Sequence, residues 1–312
     1  MTKKKGPKTS SRCSSIADKI ITDLNKMSNK KVVHLEEIKE GHKMAEDLEA
    51  SVVSDKELAR LDPLHAMYVF AQNRMDVLAE QLTQLPACRK LFSALAEADD
   101  IYMPSYPPIS PITSSYFSCW SFLDCEIGKE KESMAKIAIK VSQALSADPN
   151  LITLYQRMQE SRMGLYIHQG TKKKRIKLKE LITEEEFNCI SPSGYLGRSG
   201  ELWFARIFSE PFPEWSLGYS VVFTTPYVLG KVKRRFFTNA GILDDWQHFL
   251  ERTLGQTGEA DRIKAYEQFM KYGLNRHYWN EFIFQGYANH TDHVVYLAGI
   301  PDRPDTLPHA EE

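Results

Sequence analysis

The sequence has no apolar run near the roughly 20 residues that a membrane-spanning helix needs. Its lysine-rich amino terminus is also not followed by the apolar segment of a secretory signal. Cysteine is scarce, with five widely spaced residues in 312, which excludes a small disulfide-stapled scaffold. We therefore expect a cytoplasmic protein with reduced thiols and no membrane segment.

Motifs of known chemistry are missing as well. There is no Gly-x-Ser-x-Gly elbow and no Cys-x-x-Cys pair. Gly194, Gly197 and Gly200 surround Arg198, but this loop runs into a predicted strand, whereas a phosphate-binding loop opens a helix. The pattern favours a structural turn over an anion cradle. We predict no cofactor, and whether the protein is an enzyme is left open.

Charge of one sign is not in excess, because the whole chain has a net charge of −1. This balance disfavours a surface adapted throughout to nucleic acid or to an anionic membrane. The charge is uneven along the chain, however. Residues 164–237 contain 12 Lys and Arg against 7 Glu and no Asp, so a basic segment lies within an otherwise acidic sequence.

What the sequence does contain predicts an α+β fold with a helical amino-terminal part. Residues 1–15 are predicted to be a disordered basic tail, and 16–163 a mainly helical region. The strongest helical pattern follows Asp62, a good amino-terminal cap, and Pro63, which suits the first helical position. Another helix is predicted to open at Asp148 and Pro149.

A segment rich in proline and aromatic residues, 101–128, interrupts the helical region. Two Pro-x-x-Pro spacings, 104–107 and 108–111, are compatible with a polyproline motif for a protein partner. The apolar flanks favour instead an arm packed on the protein's own core. Residues 116–125, at the end of this segment, are predicted to form a strand.

The stretch 191–208 is the most informative, because a turn rich in glycine leads into a continuous apolar run. Trp203, Ala205 and Ile207 alternate with Leu202, Phe204 and Phe208, which predicts a strand buried on both faces, interrupted by Arg206. Further strands are predicted at 165–168, 176–181, 187–190 and 219–223. Residues 164–237 are thus expected to form a small antiparallel β module, either a meander or a barrel.

A helical carboxy-terminal part is predicted at 238–300, with helices over 242–254, 259–272 and 276–288, a last strand at 294–297 and a tail at 301–312. Two groups of residues in the chain are candidate sites. The first could hold zinc or iron in a hydrolase: His277, His290, Asp292 and His293. The second would form a phosphate-attracting rim on the β module: Lys172, Lys173, Lys174, Arg175, Lys231, Lys233, Arg234 and Arg235.

Neither group matches a specific motif, so three functions stay open. Because no specific catalytic motif is present, we favour a non-catalytic binding or interaction protein, whose partner the sequence does not identify. The alternatives are a nucleic-acid-binding protein that uses the basic rim and a metal-dependent hydrolase that uses the histidine cluster.

Overall fold

The computed structural model describes most of the chain between residues 15 and 274. The described ranges are 15–28, 39–40, 42–43, 46–47, 50, 52–83, 85–102, 114–233, 236–274, 293–297 and 300–302. Only the backbone is described at 101–102, 231–233, 236–237, 293–297 and 300–302. The predicted helix at 276–288, both Pro-x-x-Pro spacings and nearly all of the two predicted tails lie outside these ranges.

Nine α-helices lie in the described part of the chain. They are α1 (Ile16–Ser28), α2 (Asp55–Leu58), α3 (Pro63–Thr83), α4 (Arg89–Tyr102), α5 (Ser114–Cys119), α6 (Met134–Ala144), α7 (Pro149–Glu160), α8 (Ile242–Leu254) and α9 (Arg262–Tyr272). No helix in these ranges has the length and hydrophobicity that a bilayer crossing requires.

The helix starts follow the local sequence. The Asp62 carboxylate accepts a hydrogen bond from the Leu64 amide at 3.0 Å, and Pro63 is the first residue of α3. The Asp148 carboxylate caps α7 in the same way, through the Asn150 amide at 2.9 Å. Both predicted helix starts are therefore confirmed, because each cap satisfies an amide that has no partner within the helix.

The prediction of a strand at 116–125 is wrong. These residues form the end of α5 and a π-helical turn, Trp120–Asp124. Tyr116, Trp120 and Leu123 recur at steps of four and three and are all buried, so they share one helical face. The aromatic content favoured a strand, but packing of this face against the core determined the structure.

Nine strands of the described ranges form one sheet. They are β1 (Met163–Lys172), β2 (Arg175–Glu180), β3 (Glu186–Ile190), β4 (Leu202–Phe208), β5 (Ser220–Val222), β6 (Tyr227–Lys233), β7 (Phe236–Thr238), β8 (His293–Leu297) and β9 (Ile300–Asp302). The predicted strand at 294–297 is confirmed as β8. Strand β6 was not predicted, because Pro226 and Gly230 interrupt its apolar pattern.

Five of these strands close into a small barrel. The pairing runs β1-β2-β3-β5-β4 and returns to β1, because β1 pairs with both β2 and β4. Four of the strands form a Greek key, because β4 returns to lie beside β1 and the order across the sheet is β4, β1, β2, β3. The predicted small β module is confirmed. Only the β3–β5 pair of the ring is parallel, so the sheet is mixed.

Strand β4 lies at the centre of the molecule, and all seven of its residues are buried, as the sequence predicts. Trp203, Ala205 and Ile207 face the interior of the barrel. On the opposite face, Phe204 packs with the carboxy-terminal helices α8 and α9, and Phe208 packs with the amino-terminal helices. The helices therefore cover the barrel and leave the outer face of β2 and β3 as its open side.

Candidate functional site

An open groove of about 630 Å³ lies on the outer surface of the barrel. Its floor comes from β1, β2 and β3, and one wall comes from the loop between β4 and β5. The lining residues are Gln169, Gly170, Thr171, Lys172, Lys173, Arg175, Lys177, Asn188, Leu217, Gly218 and Tyr219.

The alternation of side chains along β2 places its cations in this groove. Ile176 and Leu178 are fully buried inside the barrel. Arg175 and Lys177 alternate with these two residues along β2. Because successive side chains of a strand point to opposite faces, Arg175 and Lys177 point outward. The same alternation places Asn188 of β3 in the groove, because Asn188 lies opposite Lys177 in the strand register.

The end of β1 supplies Lys172 and the β1–β2 turn supplies Lys173, whereas Lys174 of the turn is not a lining residue. The turn is a two-residue hairpin turn in which Lys173 has φ +49° and Lys174 has φ +63°. Both values lie in the left-handed region, as a type I′ turn requires, and Asn-Gly is the usual sequence there. Two non-glycine residues therefore hold a conformation that costs each of them about 1 kcal/mol or more.

Four cationic side chains line the groove, and no carboxylate is among its lining residues, all of which are described. Lys177 forms an ion pair with Glu186 at 2.9 Å, but both side chains are about half exposed. Exposed ion pairs of this kind are weak, and a ligand phosphate can compete for the lysine. The groove is therefore a cationic surface that suits an anionic ligand.

Arg175 is partly buried, whereas the three lysines that line the groove are exposed. Its guanidinium carbon lies 3.4 Å from the centre of the Tyr219 ring. The Tyr219 hydroxyl in turn donates a hydrogen bond to the Asp62 carboxylate at 2.8 Å. Partial burial, together with Asp62, raises the pKa of Tyr219, so the phenol stays protonated. The amino-terminal cap of α3 thus fixes the ring on which Arg175 stacks.

The barrel geometry explains why these distant segments meet. Ile176 of β2 pairs with Cys189 of β3, and Cys189 pairs with Ser220 of β5. Tyr219 precedes Ser220, so it lies level with Asn188 and Lys177, and the long Arg175 side chain reaches its ring across β3. The strong tilt of strands in a closed barrel brings the β1–β2 turn against the β4–β5 loop in this way.

The glycine-rich loop at 191–201 is held by the protein's own side chains. Glu201 accepts hydrogen bonds from the Tyr195 hydroxyl at 3.0 Å and from the Trp203 indole at 2.9 Å. The buried His168 bonds the Leu196 carbonyl oxygen through Nε2 at 2.9 Å. These contacts agree with the structural role that the sequence favours for this loop.

The second basic segment lies near the same end of the sheet. The backbones of Lys231 and Lys233 belong to β6, whereas Arg234 and Arg235 lie outside the described residues. The Gly200 amide donates to the His168 carbonyl oxygen at 2.8 Å, and the Gly200 carbonyl accepts from Asn239 at 3.2 Å. Gly200 therefore connects β1 to the segment that follows the β6–β7 hairpin, and a role for that hairpin in binding stays a prediction.

The predicted metal site cannot be placed. His277, His290 and Asp292 lie outside the described residues, and only the backbone of His293 is described, at the start of β8. Within the described ranges, no group of three His, Cys, Asp or Glu side chains is arranged to hold a metal ion.

Buried ionic contacts hold the barrel to its helices. Arg206, which interrupts the apolar face of β4, is fully buried and forms an ion pair with Asp124. Asp124 also pairs with Lys271 of α9 at 3.2 Å. Burial alone would lower the pKa of Arg206, but Asp124 keeps that pKa above its usual value.

A second such contact joins α9 to β2. Arg162 contacts both oxygens of the buried Glu180, at 2.6 and 3.0 Å. The Tyr266 hydroxyl of α9 donates to Glu180 at 3.2 Å. These buried charges have a structural explanation, and the groove stands apart from them as an exposed cationic surface.

Sequence analysis identified Lys172, Lys173 and Arg175 but missed Lys177, Asn188 and Tyr219. The outward alternation of β2 could have identified Lys177, whereas Tyr219 joins the groove only through tertiary structure. No protein-family model, curated protein or solved structure matches this chain. The function therefore rests on the chemistry of the groove.

Proposed function

We propose that this protein binds nucleic acid through the groove between the β1–β2 turn and the β4–β5 loop. The observation that carries the proposal is the lining itself, with Lys172, Lys173, Arg175 and Lys177 present and no carboxylate among the lining residues. Nucleic acids are recognised first through their phosphates, by lysine and arginine side chains arranged along a groove.

The position of the groove on the barrel supports the proposal by analogy. Five-stranded Greek-key barrels that bind oligonucleotides do so on the face of strands 2 and 3 and with the 1–2 and 4–5 loops. The groove here has the same floor and the same two loops. Because one fold serves many functions, the analogy indicates where a ligand would lie and leaves its chemistry to the side chains.

The strained lysines of the β1–β2 turn also support binding. Asn-Gly at 173–174 would satisfy the backbone at lower energy than Lys173 and Lys174 do. Residues that hold an unfavourable backbone conformation occur preferentially at functional sites. Attraction of phosphate by the positive charge at the tip of this hairpin is a physical reason for lysine at 173 and 174.

Other described groups favour binding over catalysis. Burial raises the pKa of the Cys189 thiol to about 12, so it is a poor nucleophile. Both ring nitrogens of His168 are engaged, Nδ1 by the Gly170 amide at 3.1 Å and Nε2 by the Leu196 carbonyl oxygen. Neither residue is placed for proton transfer or nucleophilic attack in the groove.

The experiment is fluorescence anisotropy with labelled oligonucleotides at about 50 mM salt, where phosphate contacts are strong. Binding by the wild-type protein should fall by about tenfold or more in the variant Lys172→Glu with Lys173→Glu. Lys264→Glu is the matched control, because Lys264 is exposed on α9 and should leave binding unchanged. Absence of wild-type binding, or equal losses in both variants, would overturn the proposal.

A further inference from the structure

The β4–β5 loop carries a large aromatic side chain that is more than half exposed. Trp215 ends the short 3₁₀ turn Pro213–Trp215 and is 55% exposed. The other tryptophans with described side chains, Trp120, Trp203 and Trp246, are buried. Trp215 precedes Leu217 by two residues, and Leu217 lines the groove.

Several contacts hold the loop that carries Trp215. The Glu210 carboxylate accepts hydrogen bonds from the Leu217 amide at 2.6 Å and from the Gly218 amide at 3.4 Å. Pro213 opens the 3₁₀ turn, and Ser216 closes it in the left-handed conformation. The Trp215 ring packs on Phe212 with 5.3 Å between ring centroids. The exposed ring is therefore held in place before any ligand arrives.

An exposed indole on a loop that lines a cationic groove matches one ligand chemistry well. Proteins that bind single strands combine a positive groove for the phosphates with aromatic rings on which unpaired bases stack. Bases inside a duplex are already stacked on one another and are not free to do so. Tyr219 cannot fill this role as it stands, because Arg175 covers its ring.

We propose that Trp215 stacks on an unpaired base of a single-stranded nucleic acid whose phosphates lie along Lys172, Lys173, Arg175 and Lys177. This inference rests on the proposed function and specifies its ligand as single-stranded. It separates two contributions to affinity: the lysines and Arg175 contact the backbone, and Trp215 contacts a base. The base contact does not depend on salt in the way that the phosphate contacts do.

The test compares two ligands, the wild-type protein and three variants. The ligands are an oligothymidylate of about 16 nucleotides and an abasic strand of the same length, so that only the bases differ. The proteins are the wild type and Trp215→Ala, with Ile263→Ala, which is 47% exposed on α9, as a control for loss of an exposed apolar side chain. Trp215→Phe, which keeps an aromatic ring, should recover most of the affinity.

The wild type should bind the base-bearing strand about 5- to 150-fold more tightly than the abasic strand, which is the range for one stacked base. Trp215→Ala should bind the two strands equally, with an unchanged salt dependence. Oligothymidylate should quench indole fluorescence in the wild type but not in Trp215→Phe. A preference for bases that survives Trp215→Ala overturns the inference and leaves the proposed function standing, whereas absence of binding to either strand at low salt overturns both.

Discussion

Arg175 stacks on Tyr219, with 3.4 Å between the guanidinium carbon and the ring centre, and this contact joins β2 to the β4–β5 loop. The ring fixes the direction of the guanidinium group. The Arg175 Nη1 atom has no hydrogen-bond acceptor among the described residues, although it is shielded from solvent. The guanidinium group is thus held at the edge of the groove, and its direction depends on the Tyr219 ring.

Replacing Tyr219 should therefore weaken binding through Arg175. Tyr219→Ala removes the ring, and we expect affinity for an oligonucleotide to fall by about 5- to 30-fold, in line with a cation–π contact of about 1–2 kcal/mol. Tyr219→Phe keeps the ring and loses only the hydrogen bond to Asp62, so its loss of affinity should be smaller. Equal losses in the two variants, measured by anisotropy, would show that the ring does not position Arg175.

The β1–β2 turn should show opposite effects on stability and on binding. Lys174→Gly relieves the left-handed strain at φ +63° and should raise the free energy of unfolding by about 1 kcal/mol. The same change removes a charge at the rim of the groove and should weaken binding. Urea unfolding and anisotropy measure the two effects, and a variant that is both less stable and weaker in binding would contradict the account of this turn.

The glycine-rich loop offers a matched pair of substitutions. Gly194 and Gly197 both have positive φ, at +79° and +63°. A Cβ at Gly194 meets no atom within 4 Å, so Gly194→Ala should cost about 1–2 kcal/mol of strain alone. A Cβ at Gly197 would overlap the Trp203 ring, and Gly197→Ala should cost about 1–3 kcal/mol more. Equal unfolding free energies would mean that the loop does not pack on Trp203.

The buried ion pair between Arg206 and Asp124 should contribute far more to stability than an exposed ion pair does. Asp124→Asn leaves Arg206 and Lys271 buried near each other without their shared carboxylate, and we expect a loss of about 3–5 kcal/mol. The control is Asp23→Asn, which breaks the exposed pair with Lys26 and should cost less than about 1 kcal/mol. A loss below about 1 kcal/mol in Asp124→Asn, measured by urea unfolding, would contradict the assigned role.

The described thiols should be slow to react in the folded protein. Burial raises the pKa of Cys88 to about 11 and the pKa values of Cys119, Cys125 and Cys189 to about 12. At pH 8 the thiolate fraction of each is then about one in a thousand or less. Titration with a disulfide reagent should detect at most one of the five thiols before denaturant is added. Rapid reaction of two or more thiols would contradict this burial.

Local sequence predicted those features of the fold that local physics determines. The caps at Asp62 and Asp148, the two buried faces of β4 and the lysine-rich turn all follow from neighbouring residues. The partner of Arg206 did not follow, because Asp124 belongs to a segment in which an aromatic-rich composition concealed a helical period.

The same limit applies to the groove. Its cations could be identified from residues 172–175, but the Arg175–Tyr219 contact depends on the parallel pairing of β3 with β5. Trp215 carried no signal in the sequence, since an exposed tryptophan differs from a buried one only after the chain has folded.

Salt dependence of oligonucleotide binding tests the central claim most directly. For a single strand, the logarithm of the binding constant falls by about 0.7 per phosphate contact for each tenfold rise in salt. We predict a wild-type slope of about −2 to −3, from the four cations that line the groove. Lys172→Gln with Lys173→Gln should reduce the magnitude of that slope by about 1.4, and Lys264→Gln should not change it. A wild-type affinity that does not depend on salt, or a slope that the double variant leaves unchanged, would contradict binding through this groove.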